Sequence, residues 1–210
     1  MNTFCWRGLE LPYFDHEYNR TALNMRRIEV PIVRWYLKRA QRTHWFLRIL
    51  EVGNVLSHYG PVGWPVVDLL EPGCINMDIR DYTPDKPIDL LISISTLEHI
   101  SKEPTTNIRC LRALLAPNGL GVATVPLRFN RHLDRRLADG ISGASAVYAM
   151  RKIKGGEQWA ECTLDEGLEA GLDRSNGKWR NGMAVLELRP LEQQVAAVSI
   201  YHGNLMAAPG

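Results

Sequence analysis

The sequence predicts an α/β fold: a three-layer sandwich in which about seven strands form a mostly parallel sheet with an antiparallel strand near its C-terminal end. Over residues 45–127, short apolar runs alternate with helical or turn segments. These runs are apolar on both faces, as the strands of a parallel sheet are when helices cover both sides. Two later segments, 146–153 and 183–188, are also strand-like, and we expect them to form an antiparallel pair.

The first elements are predicted from aromatic content and helical periodicity. Residues 1–20 combine aromatic and turn residues, which predicts irregular structure. A helical pattern of apolar residues begins near Thr21. Pro31 lies inside this pattern, so we expect a break or kink there, with Pro31 opening a second helix.

The central part of the chain predicts five strands and one helix. The helix covers residues 105–116, because its apolar residues recur on one face, and the stop signal Pro117-Asn118-Gly119 ends it. The strands are predicted at 47–52, 65–69, 74–77, 89–94 and 121–125.

Length and composition indicate a single domain. A chain of 210 residues can bury a sizeable core, and 45% hydrophobic with 23% charged residues is ordinary for a globular protein. We expect an N-terminal aromatic segment and helical cap at 1–44, the main domain at 45–190 and a tail at 191–210. No internal repeat or low-complexity linker indicates a second domain.

Charge, hydropathy and cysteine usage argue against several classes of partner. A net charge of +2 is too small to predict nucleic acid or an anionic membrane as the main partner. The sequence has no apolar run of the roughly 20 residues that a membrane helix needs, and its first residues lack a signal-peptide pattern. The four cysteines lie far apart, so we expect reduced thiols in a cytoplasmic protein and no metal site. The oligomeric state stays open, with a homodimer as one candidate.

The turn after the first central strand is a candidate ligand site. It reads EVGNVLSH from Glu51 to His58. In open α/β sheets, ligands bind at the carboxyl ends of the strands, where the strand order reverses. Gly53 lets the backbone approach a ligand closely, and Glu51 could accept a hydrogen bond from an ammonium group. Asn54 lies in the same turn and is also a candidate cofactor-binding residue.

Asp68 is a further candidate, at the end of the next apolar run. A carboxylate there can accept two hydrogen bonds from a ribose diol, as the acidic residue about 20 positions further on does in nucleotide-binding folds. Glu71, three residues later, is an alternative.

The phrase PIDLLISISTLEHI, at residues 87–100, is the most specific pattern in the chain. Asp89 opens a strand, and Leu-Glu-His begins the next helix. With the turn at Gly53, this phrase resembles the class I S-adenosylmethionine-dependent methyltransferases, which share the pattern D-L-hydrophobic-x-S followed by L-E-H. The resemblance covers about residues 45–127 and includes the family's L-x-P-G-G turn, in which Asn118 replaces one glycine.

The segment EVGNVLSHY is also similar to a subgroup of small bacterial methyltransferases, often associated with the synthesis of surface polysaccharides or secondary metabolites. The N-terminal segment of that subgroup carries a Tyr-Asn-x-Thr…Asn-x-Arg pattern. This chain matches it with Tyr18, Asn19, Thr21, Asn24 and Arg26. Relatives commonly have Glu before the arginine, where this chain has Met25. The resemblance implies that this segment forms a lid over the cofactor, with aromatic packing onto the edge of the sheet as the alternative.

The resemblance implies a Rossmann-like fold with S-adenosyl-L-methionine as cofactor. Asp78 stands where the family often places an acid near the adenine amino group, and Ile79 would pack on the base. Ser93 and Ser95 lie at the carboxyl edge of the fourth strand, on the floor of the implied site.

Two histidines are the candidate catalytic residues. The cofactor already supplies an activated methyl group, so the protein has to align the acceptor and exclude water. An oxygen acceptor must also lose its proton, which a histidine of near-neutral pKa can take. His99, after the fourth strand, is the first candidate, and His132, after the fifth, is the second. Four arginines within residues 128–136 either bind an anionic group of the acceptor or form the exposed face of a short helix.

These features predict an S-adenosylmethionine-dependent methyltransferase that acts on a small molecule or sugar, at oxygen. A degenerate methyltransferase-like binding or scaffold protein without catalysis is the alternative, because loop glycines are missing and Met25 departs from the pattern. An oxidoreductase on a related fold is disfavoured, since the turn has one glycine where the dinucleotide fingerprint G-x-G-x-x-G has three.

Overall fold

The computed structural model describes residues 2–43, 47–100, 103–154, 156–173 and 181–191, which contain nine strands and five α-helices. The strands are β1 (Thr3–Trp6), β2 (Leu9–Pro12), β3 (Ile49–Val52), β4 (Val66–Val67), β5 (Ile88–Ile94), β6 (Leu115–Pro126), β7 (Ala146–Lys152), β8 (Trp159–Cys162) and β9 (Gly182–Leu188). The helices are α1 (Arg26–Thr43), α2 (Leu97–Ile100), α3 (Pro104–Ala113), α4 (Arg131–Ala138) and α5 (Leu164–Ala170), with short 3-10 helices at Tyr18–Leu23 and Leu56–Tyr59.

Seven of the strands form one mixed sheet in the order β4-β3-β5-β6-β9-β7-β8. The strands β4, β3, β5 and β6 are mutually parallel. The strand β9 is antiparallel to both β6 and β7, and β8 is antiparallel to β7. The predicted sheet, with its antiparallel pair in the C-terminal part, is confirmed. From β3 the chain passes outward to β4 and then returns to the other side of β3 as β5, so the strand order reverses between β3 and β5.

Both faces of the sheet are covered, which gives the predicted three layers. Helix α1 and the β1–β2 hairpin cover one face, where Trp6 and Ile28 share a core with Ile92 of β5. Helices α3, α4 and α5 cover the other face, where Leu111 shares a second core with Leu91. Neighbouring residues of β5 therefore enter opposite cores, which is why this strand reads as a continuous apolar run.

The first twenty residues contain a β-hairpin, so the prediction of irregular structure there is wrong. Strands β1 and β2 pair antiparallel through a two-residue turn, in which Arg7 and Gly8 have φ angles of 51° and 76°. Positive φ at both turn positions is typical of a type I′ hairpin, and glycine adopts it without strain. Phe4 and Trp6 are buried at a spacing of two, as one face of a strand requires.

Helix α1 continues through Pro31, so the predicted break is also wrong. Proline has no N–H and cannot donate to the carbonyl group four residues earlier, here that of Arg27. This carbonyl accepts from the N–H of Phe14 instead, at 2.9 Å. The proline therefore leaves no buried carbonyl unpaired, and Ile32 beyond it stays in the core.

The strand predicted at 74–77 is reduced to a single bridge. Ile75 pairs in parallel with Val67 of β4. Its N–H donates to the carbonyl group of Val66, and its own carbonyl accepts from the N–H of Asp68. The segment continues the edge of the sheet without forming a further strand.

Strand β6 begins earlier than predicted. Ile88 of β5 pairs with Leu115 and Leu90 pairs with Leu120, so the predicted turn at 117–119 lies within the bounds of β6. Because of this register shift, the residues between Leu115 and Leu120 form a bulge opposite a single residue of β5, Asp89.

The C-terminal half contains α4, β8 and α5, of which the sequence predicted only α4, as one of two alternatives for the arginine-rich segment. Arg131 and Arg135 lie on its exposed face, and Arg128, just before it, donates to the carbonyl group of Leu168 at 3.0 Å.

Of the predicted tail, only Leu191 lies among the described residues. All four cysteines are free. No helix of the described part is long and apolar enough to cross a membrane.

Candidate functional site

Two adjoining cavities lie beyond the carboxyl ends of the parallel strands. The first cavity, of about 300 Å³, is lined by residues that follow β3, β4 and β5, among them Gly53, Asp68, Asp78, Ile79 and Thr96. The second cavity, of about 380 Å³, lies between α1, α2 and the end of β6, and its lining includes Asn24, Met25, Arg26, Glu29, Glu98 and Phe129. Ser95 and His99 line both cavities. The site therefore has two compartments with a shared wall, at the position where open α/β sheets bind ligands.

Gly53 is required by the packing of the first cavity. Its φ of +83° is in the left-handed region, and its N–H donates to the carbonyl group of Val67 at 2.9 Å. A β-carbon here would overlap with Thr96 Oγ1 and come within 2.7 Å of Thr96 Cγ2. The sequence predicted that the absent side chain makes room for a ligand. The structure adds that Thr96 fills part of that room.

Glu51, near the end of β3, and Asn54, in the turn that follows, line neither cavity. Glu51 is fully buried, and its Oε1 accepts from the N–H groups of Val55 and Leu56 at 3.0 and 2.7 Å. Its Oε2 accepts from the indole N–H of Trp64 at 3.3 Å. Burial raises the pKa of Glu51, although these donors oppose the effect. Glu51 fixes the shape of the turn, and its contact with a cofactor ammonium group stays a prediction.

Asp68 lies on the wall of the first cavity and organises two loops. Its Oδ2 accepts from the N–H of Asn54, and its Oδ1 accepts from the N–H groups of Leu70 and Glu71, all at 2.9 Å. Burial alone would raise the pKa of Asp68, but the three N–H donors outweigh it and lower the pKa. Asp68 is therefore ionised at neutral pH, and Oδ2 retains a lone pair for a further donor.

The acid stability of the protein should depend on Asp68. Because its folded pKa lies below the ordinary value of 3.8, the carboxylate stabilises the fold above that pH, and this contribution is lost as the pH falls through the folded pKa. We expect the free energy of unfolding of the parent to fall more steeply below about pH 4 than that of Asp68→Asn. Urea unfolding between about pH 5 and pH 3 measures both slopes, and equal slopes would contradict the assignment.

Asp78 and Ile79 are neighbours in the lining of the first cavity. Asp78 accepts from the Nε and Nη2 of Arg80 at 2.9 and 2.6 Å, and this pairing lowers the pKa of Asp78. Ile79 is buried and gives the cavity an apolar surface. An acid beside an apolar surface suits the amino group and the face of a nucleobase, and the contact of these two residues with adenine stays a prediction.

The two predicted serines have different positions. Ser93 is buried in β5 and lines neither cavity, and its Oγ has no hydrogen-bond partner within the described residues. Ser95 lies in the shared wall with a φ of 42°, and its N–H donates to the carbonyl group of Thr124 at 2.9 Å. The structure therefore brings Ser95, and not Ser93, to the site.

A buried acid, Glu29, supports the shared wall and was missed from the sequence. Its Oε1 accepts from the hydroxyl groups of Ser95 and Thr124 at 2.5 and 2.8 Å, and its Oε2 pairs with Arg26 at 2.8 Å. The sequence contains one indication of this role, because Glu29 is an acid on the apolar stripe of α1, next to Ile28. Asn24 and Arg26 of the N-terminal pattern line the second cavity, so this segment faces that cavity.

The structure separates the two candidate histidines. His99 lies in the shared wall with a side chain that is 59% exposed, and its ring lies edge-on to Phe129 with 4.7 Å between centroids. Burial and the charge of Arg26 lower the pKa of His99, so the ring is neutral at pH 7. His132 is exposed in the first turn of α4, where its N–H donates to the capping Asn130, and it lines neither cavity.

Glu98 is the second acid that the sequence did not single out, although it is part of the Leu-Glu-His phrase. Its side chain is 1% exposed and lines the second cavity. Within the described residues, neither carboxyl oxygen has a hydrogen-bond partner. Burial raises the pKa of Glu98 to about 8, and the charge of Glu29 adds to the shift, whereas the residue's own backbone N–H and the charge of Arg26 oppose it. Glu98 is therefore mainly protonated at neutral pH in the protein without ligand.

Comparison with solved structures returns S-adenosylmethionine-dependent methyltransferases. One from Thermotoga maritima is 11% identical over 78% of this chain and 96% of that chain, with a TM-score of 0.44. The N-methyltransferase NodS from Bradyrhizobium japonicum, in complex with S-adenosyl-L-homocysteine, is 14% identical over 82% of this chain and 96% of its own, with a TM-score of 0.43. No protein-family model and no curated protein matches the chain. The likeness is one of fold alone, so the function has to follow from the chemistry of the site.

Proposed function

We propose that the protein is an S-adenosylmethionine-dependent methyltransferase that acts on a small molecule or saccharide, at oxygen. The observation that carries the proposal is the pair of cavities at the reversal of strand order, joined at Ser95 and His99. A reaction between a bound cofactor and a separate acceptor needs two compartments that meet at one place. The expected reduced thiols favour the cytoplasm as its location.

The first cavity suits the nucleoside part of the cofactor. The ionised Asp68 offers a free lone pair to a ribose hydroxyl, Asp78 offers an acceptor to the adenine amino group, and Ile79 offers an apolar surface to the base. When bound, S-adenosylmethionine supplies a methyl group that its sulfonium already activates. The chain therefore needs to position the cofactor and to keep water away from the shared wall.

The acceptor would lie in the second cavity, with its hydroxyl group toward His99. A histidine whose pKa is lowered is neutral at pH 7 and can take the hydroxyl proton as the oxygen attacks the methyl carbon. The apolar edge formed by Phe129 and Met25 would cover the acceptor and limit access of water. His99 is thus the proposed base, since His132 lines neither cavity.

One observation favours the alternative, a binding protein without catalysis. Thr96 packs over Gly53 at the place where the cofactor would approach the turn. Calorimetric titration with S-adenosylmethionine, S-adenosyl-L-homocysteine and NAD separates the functions. Binding of the first two and not of NAD supports the methyltransferase, and binding of none of them would overturn it.

Asp78→Ala should weaken S-adenosyl-L-homocysteine binding by about tenfold, since a hydrogen bond to a charged group is worth about 1.5–3 kcal/mol at most. Its partner Arg80 is exposed, so the fold should tolerate the change. Asp81→Ala is the matched control, because Asp81 is an exposed acid of the same loop outside the cavity lining. Equal losses in both variants, measured by calorimetry, would count against a nucleobase contact at Asp78.

A further inference from the structure

Glu98 is the acid of the second cavity to which no other described residue donates a hydrogen bond. Its side chain is 1% exposed, and neither Oε1 nor Oε2 accepts a hydrogen bond within the described residues. Buried carboxyl groups are nearly always paired, because leaving one unpaired costs free energy. A bound ligand that pairs with Glu98 would remove this cost.

Among the described residues, the charged groups around an ionised Glu98 do not neutralise it, so a further cation could bind there. Arg26 and Glu29 face it from α1, and His99 is its neighbour on α2. Arg26 is paired with Glu29 at 2.8 Å, so the two charges balance each other. His99 Nε2 lies 3.8 Å from Glu98 Oε1, too far for a hydrogen bond. An ionised Glu98 is therefore the one charge of this group that a ligand would have to neutralise.

We infer that the second cavity recognises an acceptor that carries a primary amine, whose ammonium group pairs with the carboxylate of Glu98. The inference rests on the proposed function and narrows its acceptor to a small molecule or sugar with an amino group. Met25, Pro126 and Phe129 give the cavity an apolar wall for the carbon skeleton of this acceptor. The amine anchors the molecule, and a hydroxyl group elsewhere on it faces His99.

The protonation state of Glu98 gives this inference a distinct signature. The carboxyl group is protonated at pH 7 without ligand, since its pKa is about 8. An ammonium group binds the ionised form, so binding should release up to one proton. The affinity for the ammonium group should rise as the pH rises through about 8, and it should fall again once the amine loses its own proton at about pH 10.

The experiment titrates the protein, saturated with S-adenosyl-L-homocysteine, with benzylammonium at pH 7. Calorimetry in phosphate and in Tris, whose ionisation enthalpies differ, counts the protons released. We expect release of most of one proton and weaker binding of benzyl alcohol, the neutral analogue. Glu98→Gln should bind benzylammonium about tenfold more weakly or worse, with no proton release. Glu10→Gln, at an exposed position of β2, should behave as the parent does.

Several outcomes would overturn the inference. These are no binding of benzylammonium, binding without proton release in the parent, or unchanged binding in Glu98→Gln. Proton release is measured on the parent, so the test does not depend on the folding of the variant. If benzylammonium competes with S-adenosyl-L-homocysteine and Glu98→Gln weakens both, the acid holds the cofactor's own ammonium group. If S-adenosyl-L-homocysteine does not bind at all, the proposed function fails, and the amine titration without it still tests the cavity.

Discussion

Gly53→Ala is expected to destabilise the protein by about 2–5 kcal/mol and to remove S-adenosylmethionine binding. Overpacking a tight site costs about 1–3 kcal/mol, and a left-handed backbone costs a residue with a β-carbon about 1–2 kcal/mol. Both apply here, because the new β-carbon would overlap with Thr96 while φ stays at +83°. Urea unfolding gives the loss of stability, and calorimetry gives the loss of cofactor binding.

Gly73→Ala separates the two contributions to this loss. Gly73 has a φ of +80°, yet a β-carbon there would meet nothing within 4 Å, so the variant should lose only the backbone part. Thr96→Ala removes two of the three atoms closest to the new β-carbon at Gly53. Gly53→Ala should therefore cost less in the Thr96→Ala background. Additive effects of the two changes would show that Thr96 is not the obstacle.

His99→Ala should lower turnover by roughly 10²–10⁴ while S-adenosyl-L-homocysteine affinity changes little. The variant removes the proposed base but leaves Asp68, Asp78 and Ile79 on the wall of the first cavity. The parent should lose activity as the pH falls through the pKa of His99, which lies below the ordinary value of 6.5, and the variant should lack this loss. Single-turnover assays across pH measure both effects.

His132→Ala is the matched control for His99, because the exposed His132 lines neither cavity. It should keep the activity of the parent. Full activity in His99→Ala would refute the role of His99 as base. A smaller loss that high pH restores would mean that the acceptor ionises unaided, as a phenol or an acid does.

The sheet could be predicted from the sequence because each buried strand leaves a local signal. The run of β5 is apolar at neighbouring positions, which requires cover on both faces. The hairpin was missed because β1 turns only two side chains, Phe4 and Trp6, toward the core. Continuation of α1 through Pro31 was missed because it depends on Phe14, whose N–H reaches the helix from outside the local sequence.

Several residues that line the first cavity could be predicted from the sequence, whereas the two acids of the second cavity could not. Gly53 and Asp68 each follow a strand of the sheet, Asp78 follows the single bridge at Ile75, and the carboxyl ends of parallel strands meet at one edge. Glu29 and Glu98 lie on helices, where an acid usually faces solvent. Their burial depends on how α1 and α2 pack at the end of β6, which no local pattern encodes.

The β1–β2 hairpin is synthesised long before the strands β7, β8 and β9 that it contacts. Arg7 donates to Glu187 at 2.9 Å, Trp6 lies against Tyr148, and the Tyr13 hydroxyl accepts from the N–H of Trp159. At synthesis rates of about 5–20 residues per second, the gap between Arg7 and Glu187 takes roughly 10–40 s to translate. Tyr148, against which the Trp6 indole lies, is also synthesised well after the hairpin. The hairpin therefore completes its contacts with β7, β8 and β9 only after those strands have been made.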